Sequence, residues 1–369
     1  MKYPHPAQIE IDVGQFQKNI HIIRHYVGAS RICLPLKANA YGHGLCPMAE
    51  AAVEVGVDML AVSCLQEASQ LRESGITAPI LVFGAIHEEQ IEDLIELDVE
   101  ITIASFYKAE LTAQKCEELG KKCRVHLKVD SGMHRTGVRP TTALELYSHL
   151  QGHPFLDIVG IYSHFASASH PSDPIALDQI GTFLTLLENP LFKSRPLIRH
   201  IANSEGVVHF PEAHLDMVRP GLLAYGYLPP TYPPSLAGIA PCLSLKAKVS
   251  YFKVVPSKAG ISYGHTHIVS QQTRVATIPV GYGDGYRRAL SNRGAVLIRE
   301  EKVPIIGTIC MDQFMVDVGN GEAYVGDEVV LIGKQGDREI KLQDIANQCD
   351  TIPYEILCQF NERIPRIYK

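Results

Sequence analysis

The sequence contains no C-x-x-C pair and no H-E-x-x-H motif, although it carries nine cysteines and 16 histidines. The first absence removes a zinc ribbon. The odd cysteine count, in a chain long enough to bury its own core, argues against a disulfide framework. The second removes the familiar zinc-protease helix. His265 and His267 can share a strand face but supply only two ligands, so no metal is expected. Positive charge is not in surplus either. There are 34 basic and 40 acidic residues, a net charge of −6, which argues against a general nucleic-acid binder. No apolar run reaches the roughly 18 residues of a membrane span, and the opening residues lack the apolar core of a secretory signal. The expectation is a protein of the reducing cytoplasm. Glycine (29) and proline (23) are too few for a low-complexity chain. What remains is an ordinary globular composition, 46% hydrophobic and 20% charged over 369 residues, enough for one large domain or two.

The first 230 residues alternate two textures. Short apolar runs rich in β-branched residues recur at 31–36, 58–63, 79–84, 100–104, 124–130, 157–163 and 198–204. Stretches with helical spacing lie between most of them, at 46–56, 65–75, 87–97, 106–120 and 174–188. The first two stop at a glycine, and Lys121 and Lys122 follow the fourth, as the negative end of a helix prefers. Strand–helix units at this spacing imply parallel strands with helical crossovers. Seven or eight such units favour a closed TIM-like (β/α)8 barrel over an open doubly wound sheet, with chemistry at the C-terminal strand ends. The proline cluster Leu228-Pro229-Pro230-Thr231-Tyr232-Pro233-Pro234 ends this texture. Beyond it, 244–255, 273–279, 295–299, 303–309, 314–318 and 328–332 read as closely spaced strands with short turns. The expected division is a barrel over 1–235 and a mostly β-strand C-terminal domain over 236–369.

Lys37 ends the first apolar run, inside Pro35-Leu36-Lys37-Ala38-Asn39-Ala40-Tyr41-Gly42-His43-Gly44. Desolvation lowers a lysine pKa and frees the amine as nucleophile or base, and a Schiff base with a carbonyl cofactor is one use for it. A lysine snorkelling at a barrel rim fits the position as well. The decapeptide resembles the pyridoxal phosphate (PLP) lysine segment of the alanine racemase family. The resemblance continues in order through the chain: 126–137, Ser163-His164-Phe165-Ala166, Asn203-Ser204, Arg219-Pro220-Gly221 with Tyr225-Gly226, Ser262-Tyr263-Gly264, 281–285, Cys310-Met311-Asp312-Gln313 and Tyr354-Glu355.

The resemblance implies a PLP-binding barrel, a C-terminal β domain, and a homodimer whose active sites are shared between subunits. Lys37 would link PLP and act as base on one face of the substrate Cα, and Tyr263 on the other. Racemisation removes a proton on one side and delivers it on the opposite side, so two opposed bases suit it. Arg219 would face the pyridine nitrogen. An arginine does not give up a proton at working pH, so the ring nitrogen would stay largely unprotonated, which limits leakage into transamination. His164 would sit near the ring and Arg219. The phosphate would be held by Tyr41, Ser204, Gly221, Leu222 and Tyr354, with Asn203 in the same loop. Such glycine-containing loops offer backbone N–H groups, often at a helix N-terminus. Arg135 would contact the PLP phenolic oxygen and the substrate carboxylate. Lys128 matches a lysine carbamylated in many members, and Met311 and Asp312 match the substrate loop given by the second subunit.

Three positions depart from the family pattern. Pro35 stands for an aliphatic residue, His134 for a glycine, and Thr308 for an arginine in the access corridor. The activity implied is PLP-dependent interconversion of L- and D-alanine, supplying D-alanine for peptidoglycan. The alternatives are a racemase of wider small-amino-acid range, a related PLP decarboxylase and a non-catalytic PLP-binding protein. The missing H-x-G-S-G phosphate loop counts against the decarboxylase, and the β domain carrying Tyr263 counts against the last.

Overall fold

Apolar runs without alternation belong to parallel strands covered on both faces. That is what they form in the computed structural model, which describes residues 5–369. Eight strands pair in parallel: Arg31–Pro35, Met59–Val62, Ile80–Val82, Glu100–Ile103, Cys123–Lys128, Leu156–Tyr162, Ile198–His200 and Met217–Val218. The last lies against the first. The N–H of Asp216 donates to Arg199 O (3.1 Å) and that of Arg219 to Ala202 O (2.9 Å), which ties the last two strands together. The sheet therefore returns on itself as a (β/α)8 barrel. An open doubly wound sheet would leave that edge unpaired.

Local chemistry sets the helix limits. Ser105 Oγ accepts from the Lys108 N–H at the start of Phe106–Leu119, which ends at Gly120 in the left-handed region (φ 64°). Asp173 caps Pro174–Leu187 the same way. The structure differs from the sequence expectation in places. The run 198–204 stops as a strand at His200. Asn203 Oδ1 then accepts from the Gly206 N–H at 2.9 Å, so Ser204 opens a short helix, Ser204–His209. Helices Val13–Val27 and Pro140–Gln151 come in addition to those the spacing points to. No helix among the described residues is long and apolar enough to cross a membrane.

The barrel unit comprises Gln15–Ala40 and Leu45–Ala240. The second unit comprises Pro241–Lys369, the short segment Tyr41–Gly44, and residues 5–14. Its main sheet takes Ala7–Ile11 between Leu243–Lys248, antiparallel, and Arg366–Tyr368, parallel. The boundary thus differs from a simple division at 235. Ala7, Ile9 and Ile11 are buried and alternate with less buried neighbours, the pattern of a one-faced sheet and not of a barrel strand. The run 244–255 is two strands, Leu243–Lys248 and Tyr251–Val255: the Val249 N–H still donates to Asp327 O beside the first, and the Ser250 N–H donates to Thr277 O beside the second. Gly260–Ile261 and His267–Ile268 form a separate antiparallel ribbon, and Tyr263 lies in its turn.

Candidate active site

The C-terminal ends of the barrel strands gather four basic side chains and a histidine. Lys37 is half-buried one residue beyond the first strand and its buried successor Leu36. The chain then makes a left-handed turn: Ala38, Asn39, Ala40 and Tyr41 all have φ between 52° and 55°. Such a conformation costs roughly 1–2 kcal/mol per non-glycine residue. It is held by Leu36 O accepting from the Ala40 N–H (2.6 Å), Glu67 Oε1 from Ala38 N–H (2.6 Å) and Asn39 Oδ1 from Leu45 N–H (2.7 Å). Strain of this kind is kept where it fixes a functional side chain.

Pro35 does not distort the strand before Lys37. Its register is regular, Leu34 opposite Leu60 and Pro35 opposite Ala61. The Leu36 N–H donates to Ala61 O. By alternation the Pro35 nitrogen faces the other neighbour, where pairing stops at Ile32. No ladder bond is lost.

Arg219 follows the last strand and is 3% exposed. Its Nη2 donates to Ser163 O (2.8 Å) and Ile201 O (2.9 Å) and meets His164 Nδ1 at 3.2 Å. Its Nη1 donates to His200 Nδ1 at 2.8 Å. Burial brings its pKa down to about 10, so it remains a cation at neutral pH. Because arginine only donates, His200 Nδ1 must accept, and its Nε2 carries the proton. That proton goes to His126 Nδ1 at 3.0 Å, and His126 Nε2 in turn donates to Glu100 Oε2 at 2.6 Å. Four buried side chains thus form one directed chain with every tautomer fixed. Burial, then the Arg219 charge, holds both His164 and His200 well below the usual imidazole value. Both are neutral rings.

Lys128, at the end of Cys123–Lys128, is 5% exposed, with Nζ 4.6 Å from the centroid of the Tyr162 ring. Burial, then Arg219 and Arg135, pushes its pKa well below the usual lysine value. Tyr162 lies flat on His200, ring centroids 4.7 Å apart, and its hydroxyl meets Thr102 Oγ1 at 2.8 Å. Arg135 is exposed beside His134, whose φ is 55°. The left-handed backbone explains why glycine suits position 134. The His134 side chain avoids crowding by being 85% exposed, near Asp130 (3.4 Å).

Two short helices follow the last two strands, Ser204–His209 and Gly221–Ala224. Ser204 Oγ accepts from the Leu223 N–H at 3.1 Å, which sets the two helix starts side by side. A planar, phosphorylated pyridine fits this donor set: paired helix N-termini for the phosphate, a buried guanidinium for a ring nitrogen, and a half-buried amine for a carbonyl carbon.

The second unit carries a separate group. Tyr41 and Tyr354 meet with ring centroids 5.9 Å apart. Tyr263 is 73% exposed. Its carbonyl accepts from Thr308 Oγ1 (3.0 Å), and Ser262 Oγ donates to Thr308 O (2.6 Å). Buried Thr308 therefore pins the turn that presents the phenol. Met311 is exposed on a tight loop in which the Cys310 N–H donates to Gln313 O (2.9 Å), and Asp312 pairs with Arg363 at 2.7 Å.

Comparison with known proteins matches residues 11–229 to the alanine racemase N-terminal domain and 242–368 to the alanine racemase C-terminal domain. The chain belongs to the alanine racemase family. Alanine racemase of Halothermothrix orenii is 41% identical over 99% of this chain and 97% of that protein. The crystal structure of alanine racemase from Streptomyces lavendulae superposes with a TM-score of 0.93 at 34% identity, covering 100% of this chain and 98% of that one. That of Bacillus anthracis with bound L-Ala-P gives 0.90 at 34% identity, covering 100% and 96%.

Of the residues to which the family resemblance points, Lys37, Lys128, Arg135, His164, Asn203, Ser204, Arg219, Gly221 and Leu222 lie in the barrel unit. Tyr41, Tyr263, Met311, Asp312 and Tyr354 lie in the other. Sequence reasoning missed Glu100, His126, His200 and Tyr162. His126 opens a quoted family segment, yet nothing in that string marks its ring as the middle of a buried chain.

Proposed function

We propose that this chain is a PLP-dependent alanine racemase that uses Lys37 and Tyr263 as bases on opposite faces of Cα, in a homodimer whose sites are shared. The observation that carries the reading is the chemistry around Arg219. A buried guanidinium that keeps its protons, flanked by a neutral His164, offers the cofactor ring hydrogen bonds and no acid. PLP, when bound, supplies a conjugated electron sink for the Cα carbanion. Ser204, Gly221 and Leu222 would hold its phosphate through their helix starts, with Tyr41 and Tyr354. Arg135 would hold the substrate carboxylate, with the backbone of Met311. Lys37 Nζ takes or returns the proton on one face, and the Tyr263 hydroxyl does so on the other. The exposure of Tyr263 supports its donation to a second copy of the chain. A lowered pKa favours the neutral amine of Lys128, the form that reacts with carbon dioxide, and a carbamate there would give Arg135 an anionic partner. D-alanine for peptidoglycan is the role that fits this activity.

Borohydride reduction followed by peptide mass spectrometry should find the cofactor on Lys37. Tyr263→Phe should keep PLP and lose racemisation by about 10²–10⁴-fold, the usual range for a general acid–base group. Mixing Lys37→Ala with Tyr263→Phe chains tests the sharing. Half of randomly paired dimers are mixed, each with one intact site, so activity should return to about a quarter of wild type. No recovery, in dimers shown to have exchanged chains, would refute shared sites.

A further inference from the structure

Away from the barrel mouth, three side chains converge that the racemase reading leaves unused. Glu110 lies on Phe106–Leu119. His149 lies in the last turn of Pro140–Gln151, and His153 follows one turn later. His149 Nε2 is 2.8 Å from Glu110 Oε1, His153 Nε2 is 3.5 Å from the same oxygen, and the two Nε2 atoms are 3.3 Å apart. We infer that Glu110, His149 and His153 form a zinc-class divalent metal site with an open coordination position.

Three arguments lead there. The first is the size of the triangle. Zinc binds imidazole nitrogen and carboxylate oxygen at about 2.0–2.2 Å in tetrahedral geometry, which separates neighbouring ligands by about 3.3–3.5 Å. Two edges match and the third is shorter, as expected of a hydrogen bond that an ion would open. The second argument is proton counting. If His149 Nε2 donates to Glu110, it has no lone pair for His153. If it accepts from His153, it faces the carboxylate with a lone pair at 2.8 Å. Neutral rings satisfy at most two of the three edges, whereas an ion accepts all three lone pairs. The third is the helix. The C-terminus of a 12-residue helix carries partial negative charge, which favours a cation beside it.

The site is also held in place. Phe106 and Glu110 stand one turn apart on the same helix. The Phe106 ring meets the edge of His149 with centroids 5.2 Å apart and planes at 68°. The His149 and His153 rings cross at 78°, centroids 4.9 Å apart, so they meet edge to face without stacking. Glu110 is exposed, which leaves the fourth position to water or to a small anion. Two imidazoles and one carboxylate suit zinc, cobalt or nickel better than calcium or magnesium, which prefer all-oxygen shells. An ion here would cross-link two neighbouring outer helices of the barrel.

The test is zinc titration of chelator-treated holoenzyme in competition with a chromophoric indicator, for wild type, Glu110→Gln and the double variant His149→Gln/His153→Gln. The nine cysteines and the cofactor are common to all three proteins, so their background cancels. Wild type should take up one more equivalent per chain than the double variant. Glu110→Gln should bind at least tenfold more weakly. Saturating zinc should raise the unfolding temperature of wild type above any rise in the double variant, and racemisation should be alike in all three without added metal. Equal uptake by wild type and the double variant overturns the site. So does unchanged affinity in Glu110→Gln, which keeps shape and removes only the anionic ligand.

Discussion

One added methyl group at Gly160 tests the buried Arg219–His200–His126–Glu100 chain without substituting any of its members. Gly160 lies on Leu156–Tyr162 opposite His126. A Cβ there would stand 2.2 Å from His126 Nδ1 and 2.4 Å from Cε1. The ring has no free direction, because Glu100 holds one nitrogen at 2.6 Å and His200 the other at 3.0 Å. Gly160→Ala must therefore break at least one of these bonds where no water can replace it. A buried bond to a charged group contributes about 1.5–3 kcal/mol and a neutral one about 0.5–1.5 kcal/mol. Overpacking adds about 1–3 kcal/mol. The expected loss is about 3–5 kcal/mol. Arg219 keeps the carbonyls of Ser163 and Ile201, so its cation stays in place and kcat/KM should fall by only about tenfold, near 1.4 kcal/mol. Gly181→Ala is the matched control. It lies inside Pro174–Leu187 with nothing within 4 Å of the new Cβ, and alanine favours a helix over glycine by about 1 kcal/mol. Chemical denaturation of both variants reads the difference. The same methyl should lower stability at one site and raise it at the other. A Gly160→Ala protein within about 0.5 kcal/mol of wild type, smaller than a single lost hydrogen bond, would refute the argument.

Other perturbations follow from the same geometry. Lys128 has a folded pKa well below its unfolded value, so the unfolded chain binds the extra proton and wild-type stability rises with pH up to about 10.4. In carbon dioxide-free buffer Lys128→Met should therefore be more stable at pH 7, by a margin that shrinks toward pH 10; a margin independent of pH would contradict this. The lowered His164 and His200 values make stability fall with acid from about pH 6.5 downward, and His164→Gln should flatten that limb in pH-dependent denaturation. His134→Gly should gain about 0.5–1 kcal/mol by relieving the left-handed backbone, since its exposed pair with Asp130 contributes little. A loss of stability would show that the side chain matters. Thr308→Val removes the donor to the Tyr263 carbonyl and should lower kcat several-fold with PLP absorbance unchanged; unaltered kcat would mean that the turn holds itself.

What was legible in the sequence is what chemistry writes locally. Lys37 and its decapeptide, Arg219 before Pro220-Gly221, and Ser262-Tyr263-Gly264 are contiguous strings. The apolar runs announce the barrel because parallel strands are buried on both faces. The strand Met217–Val218 is too short to show a pattern of its own, and Ala7–Ile11 finds its partners more than 230 residues away, at Leu243–Lys248 and Arg366–Tyr368. The chain from Arg219 to Glu100 was hidden for a different reason. Its members come singly from four barrel strands or their ends, and an isolated buried histidine reads as packing. Only closure of the ring puts them in line, with Gly160 leaving space on the strand between those of His126 and His200.

That line also resolves an electrostatic problem at the mouth. Lys37, Lys128, Arg135 and Arg219 suit the proposed site, which would attract a phosphate and a carboxylate. Among the described residues no carboxylate pairs directly with Arg219 or Lys128, and a buried charge without compensation is costly. Burial, then Arg219 and Arg135, pushes the Lys128 pKa down, which weakens its hold on its proton. Arg219, with a pKa of about 10, stays a cation, and a carboxylate in direct contact would compete for the N–H groups that the proposed cofactor would use. Two neutral imidazoles move the compensating charge away. Each passes one hydrogen bond along, so the Glu100 carboxylate, itself near Arg124 (3.3 Å), polarises the chain while leaving the Arg219 face toward the mouth without an anion. Glu100→Gln should then weaken the acceptor that orients both histidines while keeping shape. It should reduce stability by about 1–3 kcal/mol and shift the pH profile of racemisation, whereas a purely structural role for Glu100 would lower stability and leave that profile where it was.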